Sequence, residues 1–169
     1  MTQLSNYDVS RACDAVVKES RRITPKDTPE VRSILLTLPH ARFVYAEGQN
    51  VGVMVPGTHA YGHKGHFRLY TIANTPRPDA NGDIDIELCV RRCFYIDEVS
   101  GEEYPGLASN YMCDAKPGET ITITGPYGDA FSMPDCNDAN LLMIGTGTGI
   151  APFRAFIQHI YEKQPRWLG

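Results

Sequence analysis

The sequence predicts a mostly β chain: a six-stranded antiparallel barrel with one short helix, followed by the first strand, loop and helix of an α/β domain. Three observations predict this. Short strands separated by turn residues recur over residues 12–124, a single helical spacing lies within residues 104–118, and after residue 135 an apolar run leads through a glycine loop into an amphipathic helix. We therefore expect a domain boundary near residue 135, giving domains 1–135 and 136–169.

Six segments have the length and composition of barrel strands, and closure of a barrel removes unpaired sheet edges. They are 12–20, 31–38, 50–55, 67–73, 84–91 and 120–124. The links 56–66 and 74–83 are rich in Gly, Pro, Asn and Asp, which predicts loops. Within residues 104–118, Leu107, Tyr111 and Met112 lie at helical spacing between two Pro-Gly pairs. This pattern predicts one short helix packed on the barrel.

Composition narrows the function classes. A chain of 169 residues allows one well-cored domain but not two, and its 42% apolar and 21% charged residues are typical of a folded domain. The net charge of -4 argues against a nucleic-acid partner. No apolar run approaches the ~20 residues of a membrane span, and the first ten residues lack the features of an export signal. We expect a cytoplasmic protein.

Neither the cysteines nor the histidines predict a metal site. The five cysteines form no CxxC pair, so reduced thiols are expected rather than zinc or iron-sulfur ligands. His59, His63 and His66 share one loop, but no carboxylate accompanies them and the loop offers no fixed scaffold. We predict no metal.

The segment after residue 135 carries the clearest local motif. Residues 140–144 form a short apolar run typical of a buried parallel strand, and apolar residues recur at helical spacing over 152–161. GTGTG, residues 145–149, lies between them. Glycines let a backbone approach a ligand, and the free N–H groups at a helix start attract phosphate. Because glycines also serve tight turns, the pattern alone favours neither interpretation.

A second signal is RLYT, residues 68–71, on a predicted strand. The period of two places Arg68 and Tyr70 on one face. An arginine can bind a phosphate through two parallel hydrogen bonds, and a tyrosine offers a flat face to a ring system, so the pair suits a dinucleotide. Taken alone, the two residues indicate more strongly an Arg–Tyr contact on the outside of the barrel.

Five motifs, in this order, resemble the ferredoxin-NADP reductase family and are plant-type in character. They are RLYTIAN (68–74), LCVRRCFY (88–95), GLASNYMCDAKPG (106–118), GPYG (125–128) and GTGTGIAPFRAF (145–156). EGQNVGV (47–53) fits the strand that precedes the first motif, and the match covers about residues 44–160. The resemblance implies that 1–135 is a Greek-key FAD-binding barrel and 136–169 the beginning of a Rossmann-like NADP domain.

The resemblance also implies which residues bind FAD. Arg68 would bind the pyrophosphate, Tyr70 would pack on the isoalloxazine, and Thr71, where the family usually has serine, would lie near flavin N5. Tyr95 would stack on adenine. Residues along the following strand and at the helix start would line the ribityl and phosphate side or present N–H groups and a hydroxyl: Cys89, Val90, Arg91, Leu107, Ala108 and Ser109. Ala108 stands where plant-type members commonly have cysteine.

For NADP, the resemblance implies that the GTGTGIAP loop faces the nicotinamide and pyrophosphate. The loop residues concerned are Gly145, Thr146, Gly147, Thr148, Gly149 and Pro152. A lone strand and helix cannot bury Leu142, Ile144 and Phe156 on both faces of a sheet. We therefore expect that the NADP domain continues in residues not included here, as in a larger reductase, or that a partner chain completes it.

The function implied by the resemblance is electron transfer between NADPH and a one-electron carrier, such as ferredoxin or flavodoxin, through FAD. Two alternatives stay open: a flavin-binding or structural module of a larger complex without NADPH turnover of its own, and the reductase component of an oxygenase. A basic neighbourhood formed by Lys18, Arg21, Arg22, Lys26 and Arg32 could dock an acidic carrier, or could be a solvated strand edge.

Overall fold

The computed structural model describes residues 7–39, 43–58, 64–128, 131–134, 138–164 and 166–169. Eight strands and two α-helices lie in these ranges, and a short 3₁₀ turn, Gly147–Ile150, leads into the second helix. In chain order they are β1 Cys13–Arg22, β2 Val31–Pro39, β3 Asn50–Thr58, β4 Lys64–Thr71, β5 Asp83–Arg91, β6 Phe94–Ile96, β7 Glu103–Pro105, α1 Leu107–Asp114, β8 Thr120–Tyr127 and α2 Ala151–Lys163.

Six strands form one antiparallel sheet in the order β4-β3-β8-β1-β2-β5, which confirms the predicted six-stranded architecture. The last strand, β8, returns to the middle of the sheet between β3 and β1. The edge strands β4 and β5 meet at one end, where Ile72 just after β4 pairs with Leu88 and the Ala73 N–H donates to the Glu87 carbonyl at 2.8 Å. The sheet is thus curved until its two edges touch, as closure of a barrel requires.

The core lies inside this curve because alternate residues of each strand point inward. In β5, Ile84, Ile86 and Leu88 are each fully buried, and the residues between them are partly exposed. Met112 of α1 is also fully buried and covers the core from the helix side. Burial of each such side chain stabilises the fold by roughly 1.5–3 kcal/mol.

The structure corrects several predicted bounds. β3 and β4 extend into the region predicted as the loop 56–66, because their pairing continues beyond a register shift to Thr58 and Lys64. The hairpin of β6 and β7 was not predicted. All six of its strand residues are exposed, so they carry no alternation of apolar and polar residues. The helix predicted within residues 104–118 is confirmed as α1.

The predicted strand 140–144 is wrong. Residues 141–146 have irregular backbone, and within the described ranges no strand pairs with them. A strand needs a neighbour for its backbone hydrogen bonds, and without one the apolar side chains stay in solvent: Leu142 is 87% and Ile144 79% exposed. Helix α2, predicted from the spacing over 152–161, is confirmed.

Helix α2 packs against the barrel end that carries the 46–49 turn. Phe156 is buried there, with its ring stacked on Phe131 at a centroid distance of 5.5 Å, so the expectation that a separate sheet must bury it does not hold. Arg154 forms an ion pair with Glu87 at 2.6 Å. In the part of the chain that is described, neither helix is long and apolar enough to cross a bilayer.

Candidate functional site

A cleft of about 820 Å³ opens between β4, β5, α1 and the turn that precedes α2. Its volume lies within the ~300–1,000 Å³ typical of small-molecule and cofactor sites. The residues that line it are His66, Arg68, Leu69, Tyr70, Thr71, Cys89, Arg91, Cys93, Tyr95, Gly106, Leu107, Ala108, Ser109, Thr148, Gly149 and Ala151. Most of the predicted site residues therefore meet in one place.

The β4 wall supplies a cation, an aromatic ring and a hydroxyl. Arg68 is exposed, whereas Tyr70 is half-buried and packs against the core. Burial raises the pKa of Tyr70 far above its ordinary value, so the phenol stays neutral at physiological pH. The Thr71 hydroxyl donates to Asn50 Oδ1 at 2.7 Å. While that bond is made, Thr71 can accept a hydrogen bond from a ligand but has no proton to donate.

The β5 wall presents every second residue to the cleft, namely Cys89, Arg91 and then Cys93 and Tyr95 beyond the strand end. Val90 lies between two of them with its side chain buried in the core, so only its backbone is available to a ligand. Burial raises the pKa of the Cys89 thiol, which is therefore neutral at pH 7. The charge on this wall comes from Arg91.

Tyr95 belongs to the hairpin at the mouth of the cleft. Its ring stacks on that of Tyr104 from β7, with centroids 5.6 Å apart and planes inclined by 24°. The Tyr104 hydroxyl in turn donates to Glu102 at 2.5 Å, which raises the pKa of Tyr104. Tyr95 is still 57% exposed, so a flat aromatic surface backed by a second ring is open at this end.

Two helix starts border the same cleft. Helix α1 begins after Gly106 and α2 after the Gly147–Ile150 turn, and no side chain caps either α1 or the turn. Uncapped first-turn N–H groups carry partial positive charge and attract anions. Among the described residues that line the cleft none is acidic, and Arg68 and Arg91 add two positive charges. The cleft therefore favours a ligand with negative charge and flat rings.

The residues at the start of α1 differ in the hydrogen-bonding groups that they present to the cleft. Leu107 and Ala108 line the cleft in the first helical turn, where N–H groups have no partner within the helix. The Ser109 hydroxyl accepts from the Cys93 N–H at 3.1 Å and donates to the Gly106 carbonyl at 3.2 Å. That hydroxyl is thus engaged with backbone groups as well as bordering the cleft.

The GTGTG loop is only partly in the cleft. Thr148 and Gly149 line it, whereas Gly145, Thr146 and Gly147 are exposed outside it, and Pro152 is buried at the second position of α2. Gly147 has a φ of +56°, a conformation that favours glycine. A side chain at Gly145 would meet the Phe153 ring at 2.9 Å. At least these two glycines are required by the shape of the turn itself.

Reasoning from the sequence missed five lining residues: His66, Leu69, Cys93, Gly106 and Ala151. Two of them had a signal, since His66 lies two residues before Arg68 and Cys93 two residues after Arg91, on the same faces. His66 was considered only as a metal ligand together with His59 and His63. Those two histidines lie outside the described residues.

Several cations of the basic neighbourhood are held by nearby groups. Lys18 pairs with Asp85 at 2.7 Å and Arg32 with Glu30 at 2.8 Å. The Arg22 guanidinium donates to carbonyls of the β1–β2 turn, including those of Pro25 and Thr28 at 2.7 Å each. The carboxylate partners of Lys18 and Arg32 weaken the attraction of this surface for an acidic protein.

A second cavity, of about 590 Å³, lies on the far side of α2. Among the described residues that line it there is no arginine, lysine or histidine to bind a phosphate. The lining residues are Asn140, Leu141, Met143, Ile157, Ile160, Tyr161, Gln164, Trp167 and Gly169.

Comparison with known proteins gives a family whose description agrees with the chemistry of the cleft. A family described as oxidoreductase FAD-binding domain matches residues 15–131, which is most of the chain. The chain belongs to this family. The matched residues contain β2 to β8 and most of β1, and the described cleft lies on the matched residues and the segment that follows them.

The most similar curated relatives include ferredoxin-NADP reductases. That of the Cyanophora paradoxa cyanelle is 40% identical over 145 residues, which are 85% of this chain and 39% of the relative. That of Synechocystis is 44% identical over 120 residues, covering 71% of this chain and 29% of the relative. The chain thus spans less than half the length of these relatives.

Among solved structures, the ferredoxin-NADP+ reductase from Plasmodium falciparum with 2'P-AMP is similar at a TM-score of 0.69 and 23% identity. The match covers 92% of this chain and 55% of that one. It shows that the two chains share the fold.

Proposed function

We propose that the chain is the flavin domain of an oxidoreductase that moves electrons between NADPH and a one-electron carrier such as ferredoxin or flavodoxin, by means of FAD. One observation carries this proposal: a single cleft combines Arg68 and Arg91 with the rings of Tyr70 and Tyr95 and with two uncapped helix starts. Membership of the oxidoreductase FAD-binding domain family supports it.

The residues present fit FAD. Arg68, Arg91 and the N–H groups at Leu107 and Ala108 are donors of the kind that bind a pyrophosphate, and no described residue of the lining opposes its charge. Tyr95, backed by Tyr104, would hold the adenine ring. Tyr70 would lie against the isoalloxazine, where its neutral phenol adds no charge.

Bound FAD would supply the exchange between two-electron hydride transfer and one-electron carriers. The side chains of the cleft would position the bound FAD. The Thr71 hydroxyl, proposed to lie near the reactive edge, is fixed by Asn50, so it offers an oxygen acceptor at a defined position. The neutral Cys89 thiol on β5 and the Leu69 side chain on β4 add no charge to the cleft. Together these residues would bind and orient FAD, while the hydrogen bond to Asn50 keeps the hydroxyl proton on Thr71.

For NADP we propose the loop of Gly145, Thr146, Gly147, Thr148 and Gly149, followed by Pro152. A glycine turn opening into a helix start supports this, since such a start attracts phosphate. We also propose a domain boundary near residue 135, because β8 ends at Tyr127 and the family match at residue 131. Further residues or a partner chain would complete the NADP domain.

An acidic carrier is the proposed partner, and the cytoplasm the proposed compartment. In the basic neighbourhood, Arg21 is the proposed docking contact, because its side chain is 68% exposed and its pair with Glu19, at 3.4 Å, is long and open to solvent. Fractionation of cells that express the protein tests the compartment. Recovery in an organelle, as the cyanelle relative's name describes for that protein, would contradict a cytoplasmic location.

A flavin-binding module without NADPH turnover is the second candidate. The observation behind it is that Leu142 and Ile144 are exposed and the nucleotide-binding part forms no sheet within the described ranges. A nucleotide domain that further residues or a partner chain complete accounts for the same observation. Oxidation of NADPH by the purified chain, with ferricyanide as acceptor, tests the two candidates. Turnover would exclude the module, whereas a chain that holds FAD but oxidises no NADPH would support either the module or a reductase whose NADP domain is completed by further residues.

The flavin site is tested by Arg68→Ala. A hydrogen bond to a charged group contributes about 1.5–3 kcal/mol, so FAD affinity should fall roughly 10- to 100-fold. Titration of flavin fluorescence measures the dissociation constant. Arg21→Ala is the matched control: it removes one arginine that pairs only locally with Glu19, and should leave affinity unchanged. Unaltered FAD binding by the Arg68 variant would remove Arg68 from the site.

A further inference from the structure

Two adjacent arginines have different surroundings. Arg91 lines the cleft, whereas Arg92 is directed behind helix α1, where its side chain is only 18% exposed. We propose that Arg92 and Asn110 form a clamp that positions the first turn of α1 for the FAD pyrophosphate. Both are thus positioning residues that touch no ligand themselves. The inference rests on the proposed FAD site and deepens it.

Arg92 reaches three different side chains with its three nitrogens. Nε donates to Glu30 Oε2 at 2.8 Å, Nη1 to Asn110 Oδ1 at 2.8 Å, and Nη2 to Asp114 Oδ1 at 2.7 Å. The Arg92 backbone N–H also donates to the Glu30 carbonyl at 2.9 Å. A planar guanidinium with fixed donors thereby ties helix α1 to the end of β5 and to the chain before β2.

Asn110 continues the chain of contacts to the helix start. While its oxygen accepts from Arg92, its amide nitrogen donates to the carbonyls of Cys93 and Gly106, at 2.9 Å each. The Gly106 N–H donates to the same Cys93 carbonyl at 2.9 Å. Gly106 is the residue immediately before α1, so its position fixes where the first N–H groups of the helix lie.

This arrangement replaces a conventional cap. A serine or aspartate cap would orient the helix start by occupying its N–H groups, and would compete with an anion for them. Here no side chain caps α1, and the clamp instead holds the carbonyls of Cys93 and Gly106. The start of the helix is therefore fixed while its N–H groups remain open to the cleft.

A control variant separates a purely structural role of the Arg92 contacts from their positioning of the helix start. Asp114 pairs with the same Arg92, but its side chain is 69% exposed and its pair lies at the far end of α1 from Gly106. Exposed ion pairs contribute little to stability. Asp114→Asn therefore loosens Arg92 without touching the helix start, and serves as the control for Asn110→Ala.

The experiment measures FAD dissociation constants of the wild type and both variants by flavin fluorescence, at a temperature where circular dichroism shows all three folded. Asn110→Ala should weaken FAD binding about ten-fold, and Asp114→Asn less than about two-fold. Hydrogen exchange of the FAD-free proteins adds a second readout. The amides of residues 107–110 should exchange faster in Asn110→Ala, while those of β5 keep wild-type protection.

Equal FAD affinity of the wild type and Asn110→Ala would overturn the clamp, and so would losses that follow the fall in melting temperature in both variants alike. If Asn110→Ala does not fold, Arg92→Lys replaces it. Lysine keeps the charge but cannot reach three acceptors, so the same ten-fold loss is expected and an unchanged affinity would contradict it. A wild type that binds no FAD would refute the proposed function, and hydrogen exchange would still decide whether the clamp orders α1.

Discussion

The barrel and the segment after residue 138 are built on different principles. In the barrel, paired strands enclose side chains such as Ile34, Ile86 and Leu88, each fully buried. In the segment, Leu142 and Leu168 are 87% and 84% exposed, and residues 141–146 pair with no described strand. The FAD side of the cleft is therefore supported by a complete core, whereas the proposed NADP side is not.

Polar contacts add to the packing of Phe156 in holding α2 of this segment in place. Glu47, only 9% exposed at its side chain, accepts hydrogen bonds from Thr75 and from His159 at 2.8 Å, and lies 3.3 Å from Lys163 Nζ. Such contacts depend on pH and salt, while core packing does not. The comparison thus teaches that the two walls of one cleft should respond differently to the same perturbation.

Truncating one side chain in each region should give the largest difference in stability between the barrel and the segment. Leu88→Ala removes a fully buried side chain and should lower the free energy of unfolding by about 2–5 kcal/mol. Leu142→Ala changes a residue that is 87% exposed and should stay within about 0.5 kcal/mol. Urea unfolding of both variants checks this. Similar losses in the two would show that Leu142 is packed in solution.

Removal of the Glu47 carboxylate should have a pH-dependent effect. Burial raises its pKa, but the hydrogen bonds from Thr75 and His159 outweigh this and lower the pKa to about 2, from an ordinary 4.5. A carboxyl group whose pKa is lowered by folding adds to the free energy of unfolding at pH values above its unfolded-state pKa. That contribution is lost as the pH falls toward the folded-state pKa. Between about pH 4.5 and 2, the free energy of unfolding of the wild type should therefore fall by on the order of 3 kcal/mol more than that of Glu47→Gln.

Thermal unfolding across this pH window measures the difference between wild type and Glu47→Gln. The control is Glu98→Gln, a change in the exposed hairpin turn, which should follow the wild-type curve. Parallel curves for wild type and Glu47→Gln would contradict the assignment of the carboxylate as the main polar attachment of α2.

The smallest effect is expected at Arg154. Its ion pair with Glu87 joins α2 to β5, but the Arg154 side chain is 45% exposed. Arg154→Gln should cost about 0.2–1 kcal/mol, and less at 1 M salt, where exposed charges are screened. Chemical unfolding at two salt concentrations checks both points. A salt-independent loss above 2 kcal/mol would mean that this pair, rather than Glu47, fixes the helix.

Much of the barrel was predictable because its alternation is regular. Every second residue of β5, such as Ile84 and Ile86, is buried, and the predicted strand differs from the observed one by a single residue. The β6–β7 hairpin has no such alternation. Residues 140–144 have the composition of a strand, but no strand among the described residues pairs with them. Composition predicts what a strand can be, while pairing decides whether it forms.

The cleft shows the same division. Spacing along one strand placed Arg68 and Tyr70 on one face, but their assignment to a binding site, like that of Cys89 and Arg91, came from the family resemblance. Contacts between distant residues could not be found that way: Arg92 lies 18 positions from Asn110, and Glu47 112 positions from His159. A single sequence carries no signal for such pairs, because they depend on how the finished barrel brings its loops together.

The visible absorption spectrum of the purified chain, followed by release and chromatographic identification of any coloured cofactor, tests the central claim most directly. The cleft between β4, β5 and α1 predicts a yellow protein with one FAD per chain, or a colourless one that becomes yellow when FAD is added. A chain that is colourless as purified and takes up no added FAD would contradict the proposed flavin site.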